Sequence, residues 1–153
     1  MLAVTAANAG AMAAASAPRS PWARRNLLLL AVFGPVLIAT GIGGLVLPPE
    51  LALMSNAPPY DIFHIAFGAL GLALVLARSA RGAALFNSIF GAIDLYQAVA
   101  GVVGIFPAGV FALRPADHVV HVVLGLLLVG VGARFFSSSS SLKTDGLGVS
   151  RRA

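Results

Sequence analysis

Cysteine is absent from this chain of 153 residues. That absence excludes disulfide bonds, thiolate metal sites, iron–sulfur clusters and cysteine nucleophiles. Charged residues are scarce as well, at 10% of the sequence, whereas an ordinary soluble domain carries about 25%. The chain therefore has too few charges to cover a water-solvated surface.

Apolar residues fill the space that charges leave. They make up 59% of the chain, and the mean hydropathy is +0.95. A helix of about 20 apolar residues crosses the hydrocarbon core of a bilayer, and short links place consecutive helices side by side and antiparallel. The sequence therefore predicts an all-α fold, a four-transmembrane-helix antiparallel bundle, with spans at about 26–47, 61–77, 83–106 and 117–133.

Polar segments flank the predicted bundle. Residues 1–25 are expected to form a cytoplasmic tail, and residues 26–135 form the membrane domain. The segment 136–153 opens with a run of serines and cannot bury enough apolar surface to fold. It is therefore expected to be a disordered cytoplasmic tail.

Basic residues predict the orientation of the bundle. They gather at alternate ends of the spans, which by the positive-inside rule places both termini in the cytoplasm. The other two loops hold one arginine, Arg114, beside three acidic residues. Because the arginines border apolar runs, we expect a lipid bilayer as partner and no nucleic acid. The topology residues are Arg24, Arg25, Arg78, Arg81 and Arg134.

An internal repeat relates the two halves of the chain. "GIGGLVLPP" resembles "GVVGIFPAG", and the pattern from Asp61 through His64 to Gly68 resembles that from Asp117 through His121 to Gly125. Copies of the same orientation are related by an axis along the membrane normal. The bundle is therefore expected to consist of two parallel-repeat helical hairpins, with spans two and four facing one another.

Small residues accompany the polar ones on the predicted helices. Residues three or four apart share one helix face, and small residues mark the faces where membrane helices approach closely. The spacing therefore predicts that the polar side chains point inward and that glycines mediate helix packing. These glycines are Gly68, Gly71, Gly91, Gly101 and Gly125.

Three ionisable residues are predicted to share one depth. His64, Asp94 and His121 each lie 13 or 14 residues from an arginine boundary, roughly 20 Å at 1.5 Å per residue. They form a candidate intramembrane polar or ligand cluster. Asp61 and Asp117 follow proline-containing segments and are expected to cap helix N-termini.

Three functions fit this cluster. In the first, the chain is a non-enzymatic structural or accessory subunit that packs against other subunits or itself, and no cofactor is required. In the second, the histidines bind a divalent metal, a haem or a pigment. In the third, they move protons or a small solute. No catalytic constellation accompanies them, so enzyme activity is not expected.

Two stretches carry a family resemblance. "DIFHIAFGALGLALVLARSARGA" and "ADHVVHVVLGLLLVG" resemble a widespread bacterial family of small four-helix membrane proteins, catalogued as a domain of unknown function. The resemblance covers roughly residues 26–135. It implies an integral protein of the bacterial cytoplasmic (inner) membrane and brings no activity with it.

Overall fold

The computed structural model describes the backbone of residues 20–149 and the side chains of residues 20–138. The predicted tails at 1–19 and 150–153 lie outside the described residues. A 3₁₀ turn at Pro49–Leu51 follows the first helix. The helices are α1 Pro21–Val46, α2 Pro58–Leu76, α3 Ala80–Val103, α4 Ala108–Phe111 and α5 Pro115–Val149.

Four helices have the length and composition to cross a membrane. They are α1, α2, α3 and the Pro115–Ser138 part of α5. Their outward faces carry large apolar side chains that stay exposed, such as Val32 on α1 and Val123 on α5, which suits contact with lipid. The predicted all-α membrane bundle is confirmed, and the chain is a multi-pass membrane protein.

The spanning helices begin a few residues earlier than the apolar runs predict. Pro21, Pro58 and Pro115 each stand in the first turn of a helix, where a proline loses no hydrogen bond and its fixed φ suits the helix. The sequence interpretation treated these prolines as breaks that precede each span. They start the helices instead.

The last helix is longer than expected. α5 continues to Val149, so residues 136–149 are helical where a disordered tail was predicted. The hydroxyls of Ser137 and Ser138 donate to the carbonyls of Ala133 and Arg134, at 3.3 and 3.0 Å. Such bonds to the preceding turn let serine continue a helix.

Each hairpin is held by a pair of glycines in close contact. α1 packs most extensively against α2, and α3 against α5. A Cβ added to Gly68 would lie 2.7 Å from the Gly34 carbonyl oxygen, and one added to Gly125 would lie 2.8 Å from that of Gly91. Both members of the second pair lie 57 residues after their counterparts. The two hairpins therefore pack through equivalent contacts.

The remaining predicted packing glycines also face neighbouring helices. A Cβ at Gly71 would meet Leu30 of α1, and one at Gly101 would meet the ring of His118 on α5. All five predicted positions thus lie where two helices approach each other.

Contacts between repeat-related residues locate the axis between the hairpins. Phe33 and Phe90 pack edge-on at 5.5 Å between ring centroids, and the Tyr60 hydroxyl lies 3.0 Å from Asp117 Oδ1. The members of each pair are 57 residues apart, and equivalent residues touch only near their symmetry axis. Near that axis α1 packs against α3, whereas the sequence predicted that spans two and four would face one another.

The glycine contacts yield a stability prediction. We expect Gly68→Ala and Gly125→Ala to lower the thermal stability of the detergent-solubilised protein, because the added methyl group would force the paired backbones apart. Gly130→Ala is the matched control, since a Cβ there meets nothing within 4 Å. Equal thermal stability of all three variants would contradict this packing.

Candidate functional site

The bundle has two chemically distinct ends. The arginine end holds the topology residues named above, and there the guanidinium carbons of Arg25 and Arg134 lie 4.5 and 5.6 Å from the centroid of the Trp22 ring. The network end holds the α1–α2 and α3–α5 connections. Its buried side chains form the polar network, which consists of Ser55, Tyr60, Arg114, Asp117 and His121.

Asp117 lies at the centre of the polar network. Its side chain is fully buried and accepts three hydrogen bonds: Arg114 N at 2.7 Å, Ser55 N at 3.0 Å and the Tyr60 hydroxyl at 3.0 Å. The bond to Arg114, three residues earlier, caps the start of α5 as predicted for this aspartate. The other two bonds come from the first half of the chain.

Tyr60 connects Asp117 to His121. Its hydroxyl donates its single proton to Asp117, so the contact of 3.0 Å with His121 Nε2 requires the histidine to donate. A neutral His121 therefore carries its proton on Nε2. Tyr60 is only 1% exposed, so its sequence interpretation as an anchor at the membrane surface is wrong.

The two connections at the network end are also bound to each other. The Arg114 guanidinium donates to the Ala52 carbonyl and, at 3.3 Å, to Asn56 Oδ1. The Ser55 hydroxyl donates to the Phe111 carbonyl. Because each bond joins the first hairpin to the second, the network end closes the bundle.

The three predicted cluster residues line one cavity beneath the polar network. His64, Asp94 and His121 meet there with Tyr60, around a volume of about 130 Å³. This volume corresponds to about four water molecules. The His64 ring packs edge-on against Tyr60, with 4.2 Å between centroids. We call this space the bundle cavity.

Hydrogen bonding in the bundle cavity is incomplete. His64 Nδ1, Asp94 Oδ2 and His121 Nδ1 are buried and have no hydrogen-bond partner among the described residues. The sequence predicted a histidine as the partner of Asp94, but the bond that His121 makes goes to Tyr60. The three residues are therefore gathered around Tyr60 without bonding to one another.

Asp61 does not cap its helix. α2 already begins at Pro58, and the backbone N–H of Asp61 donates to the Ala57 carbonyl at 3.1 Å. Its carboxylate packs against Gly44 of α1, and neither oxygen has a hydrogen-bond partner among the described residues. The predicted cap is wrong because the prolines move the helix start upstream of this residue.

A second buried polar contact was not predicted. Asn87 Nδ2 donates to Asn26 Oδ1 at 2.9 Å, and Asn26 Nδ2 donates to the Val131 carbonyl at 3.1 Å. Both asparagines are fully buried, so the bonds join α1, α3 and α5. Asn26 stands at the edge of an apolar run, which is why the sequence interpretation treated it as a boundary.

Comparison with known proteins places this geometry in a family. The family described as Domain of unknown function (DUF4383) matches residues 49–134. This chain belongs to that family. The matched region includes α2, α3 and every residue of the polar network. No curated protein and no solved structure matches the chain.

The bridging hydroxyl yields a second stability prediction. Tyr60→Phe removes the group that joins Asp117 to His121 and leaves the His121 donor buried and unpaired. We expect a loss of about 1 to 2 kcal/mol in the free energy of unfolding, the scale of hydrogen bonds between membrane helices. Unfolding in mixed detergent and denaturant measures it.

Tyr96→Phe is the matched control for this change. Its hydroxyl also donates a hydrogen bond, to the Phe106 carbonyl at 2.6 Å, but from an exposed position. The control should therefore cost less. If both variants lost the same stability, the Tyr60 bridge would have no special weight.

Proposed function

We propose that this chain is a non-enzymatic membrane protein that acts as a structural or accessory subunit of a larger membrane complex. One observation carries the proposal: the best-connected polar side chains bond across the two hairpins. Asp117, Tyr60 and His121 satisfy one another, and Arg114 binds the opposite loop. Side chains used in this way stabilise a fixed shape.

The outer faces of the bundle support a packing role. On α5, Val119, Val123 and Leu126 are 65%, 60% and 61% exposed, and their spacing places them on one face of the helix. Such a rigid apolar face contacts either lipid or another transmembrane helix. In a subunit, part of this surface belongs to a neighbour.

Photo-crosslinking tests the subunit role. A photoreactive amino acid replaces Val123 on α5 or Val32 on α1, and the protein is irradiated in native membranes. We expect one discrete protein adduct from at least one face. Irradiation of the purified chain in lipid nanodiscs is the control that identifies self-association. Lipid adducts alone at both positions would contradict the proposal.

Both termini lie in the cytoplasm in this proposal, and the membrane is the bacterial inner membrane. The support is the gathering of the arginines at one end of the bundle. The native chain has no cysteine, so single cysteines report topology cleanly. Exposed Glu50→Cys should react with a membrane-impermeant maleimide from outside the cell, and exposed Arg81→Cys only after permeabilisation. Reaction of both from one side would exclude this topology.

A second candidate function is ligand binding in the bundle cavity. The unpaired atoms of His64, Asp94 and His121 favour it. Among the described residues, however, no three histidine or acidic side chains are arranged to hold a metal ion, and a space of about 130 Å³ is too small for a haem or pigment. Metal analysis and an absorbance spectrum of purified protein decide the matter, since a stoichiometric metal or chromophore would displace the structural role.

The third candidate, transport, lacks a comparable observation. Between the bundle cavity and the Asn26–Asn87 contact, the interior is filled by apolar side chains that include Leu30, Phe33 and Phe90. A proton or solute would have to pass this apolar layer.

A further inference from the structure

The arginine end contains a groove that the polar network does not involve. Its volume is about 830 Å³, and it lies between α1 and α2, with Phe135 of α5 at its edge. The lining combines two basic side chains with an apolar wall. The residues that matter are Arg24, Arg78, Leu27, Leu28, Ala31 and Val75.

The two arginines of this arginine-end groove have exposed side chains. Neither Arg24 nor Arg78 forms a side-chain hydrogen bond or an ion pair within residues 20–138, and no acidic residue lines the groove. Two positive charges thus border one space without an anionic partner from the described part of the chain. The groove is complementary to an anion.

The depth of the lining residues adds an apolar requirement. Arg24 lies in the first turn of α1, and Arg78 comes directly after the end of α2, so both stand at the membrane boundary. Leu27 and Ala31 lie three and seven residues further along α1, roughly 5 and 10 Å deeper, and Val75 lies deeper along α2. The groove is therefore basic at headgroup level and apolar below it.

We propose that the arginine-end groove binds an anionic phospholipid. The phosphate lies between Arg24 and Arg78, whose guanidinium groups suit phosphate oxygens, and an acyl chain follows the wall of Leu27, Ala31 and Val75. Basic pockets beside transmembrane helices recognise anionic headgroups in this way. The site is separate from the polar network and independent of the proposed subunit role.

Native mass spectrometry of the full chain tests the proposal. The protein is released from nanodiscs that contain equal amounts of phosphatidylglycerol and phosphatidylcholine, which match in acyl chains and differ in headgroup charge. We expect retention of one phosphatidylglycerol molecule, and about a tenfold or greater loss of retention in the double variant Arg24→Gln/Arg78→Gln. Equal retention of both lipids would overturn the proposal.

The matched control is the double variant Arg25→Gln/Arg81→Gln. It removes the same charge from the same end, at residues that do not line the groove. Retention should stay at the level of the unmodified protein. A loss as large as that of the groove variant would indicate general attraction to a basic surface and would also overturn the site.

Two further variants distinguish other occupants. Ala31→Phe keeps both arginines and fills the deep apolar wall, so it should reduce lipid retention; unchanged retention, with displacement by glycerol phosphate alone, would reduce the site to a phosphate site. Deletion of residues 1–18 should leave retention unchanged. If lipid bound only after that deletion, the N-terminal segment of the chain would be the occupant and the proposal would fail.

Discussion

The structure depends on one constraint, which is that the buried carboxylate of Asp117 must find hydrogen-bond donors where no water is at hand. Two donors are backbone N–H groups, from Ser55 and Arg114, and the third is the Tyr60 hydroxyl. A carboxylate left unpaired in such surroundings is costly. Because two of the three donors belong to the first hairpin, the carboxylate is satisfied only when both hairpins are in register. This requirement positions both loops, His121 and the cavity below.

The repeat explains why the donors and acceptors at the axis differ. Equivalent residues that touch at a symmetry axis would be a like pair if the halves were identical, and two carboxylates or two phenols cannot complement each other fully. Here Tyr60 meets Asp117, so the pair combines a donor with an acceptor. Away from the axis the halves diverge similarly, since Asp61 packs against Gly44 where His118 packs against Gly101. The backbone contacts remain equivalent, and the chemistry has become asymmetric.

The sequence predicted the parts of the fold that follow from composition and spacing. Apolar runs of membrane-spanning length indicated the four helices, and the small-residue stripes indicated contact glycines such as Gly68 and Gly125. The same stripes placed His64, Asp94 and His121 inside, where the structure puts them. The rest depends on features that spacing cannot show. Tyr60 is buried because the second loop folds over it. The cap predicted at Asp61 failed because its repeat partner is His118 rather than Asp117, and one residue turns a helix by roughly 100°.

The central claim is that Tyr60 and Asp117 are energetically coupled across the two hairpins. A double-mutant cycle with Tyr60→Phe, Asp117→Ala and the combined variant measures this coupling directly, with unfolding free energies obtained in mixed detergent and denaturant. Each single change removes the same contact, so the account predicts that the double variant loses less stability than the sum, with a coupling energy of about 1 kcal/mol. Strictly additive losses would show that the two side chains do not interact and would contradict the account.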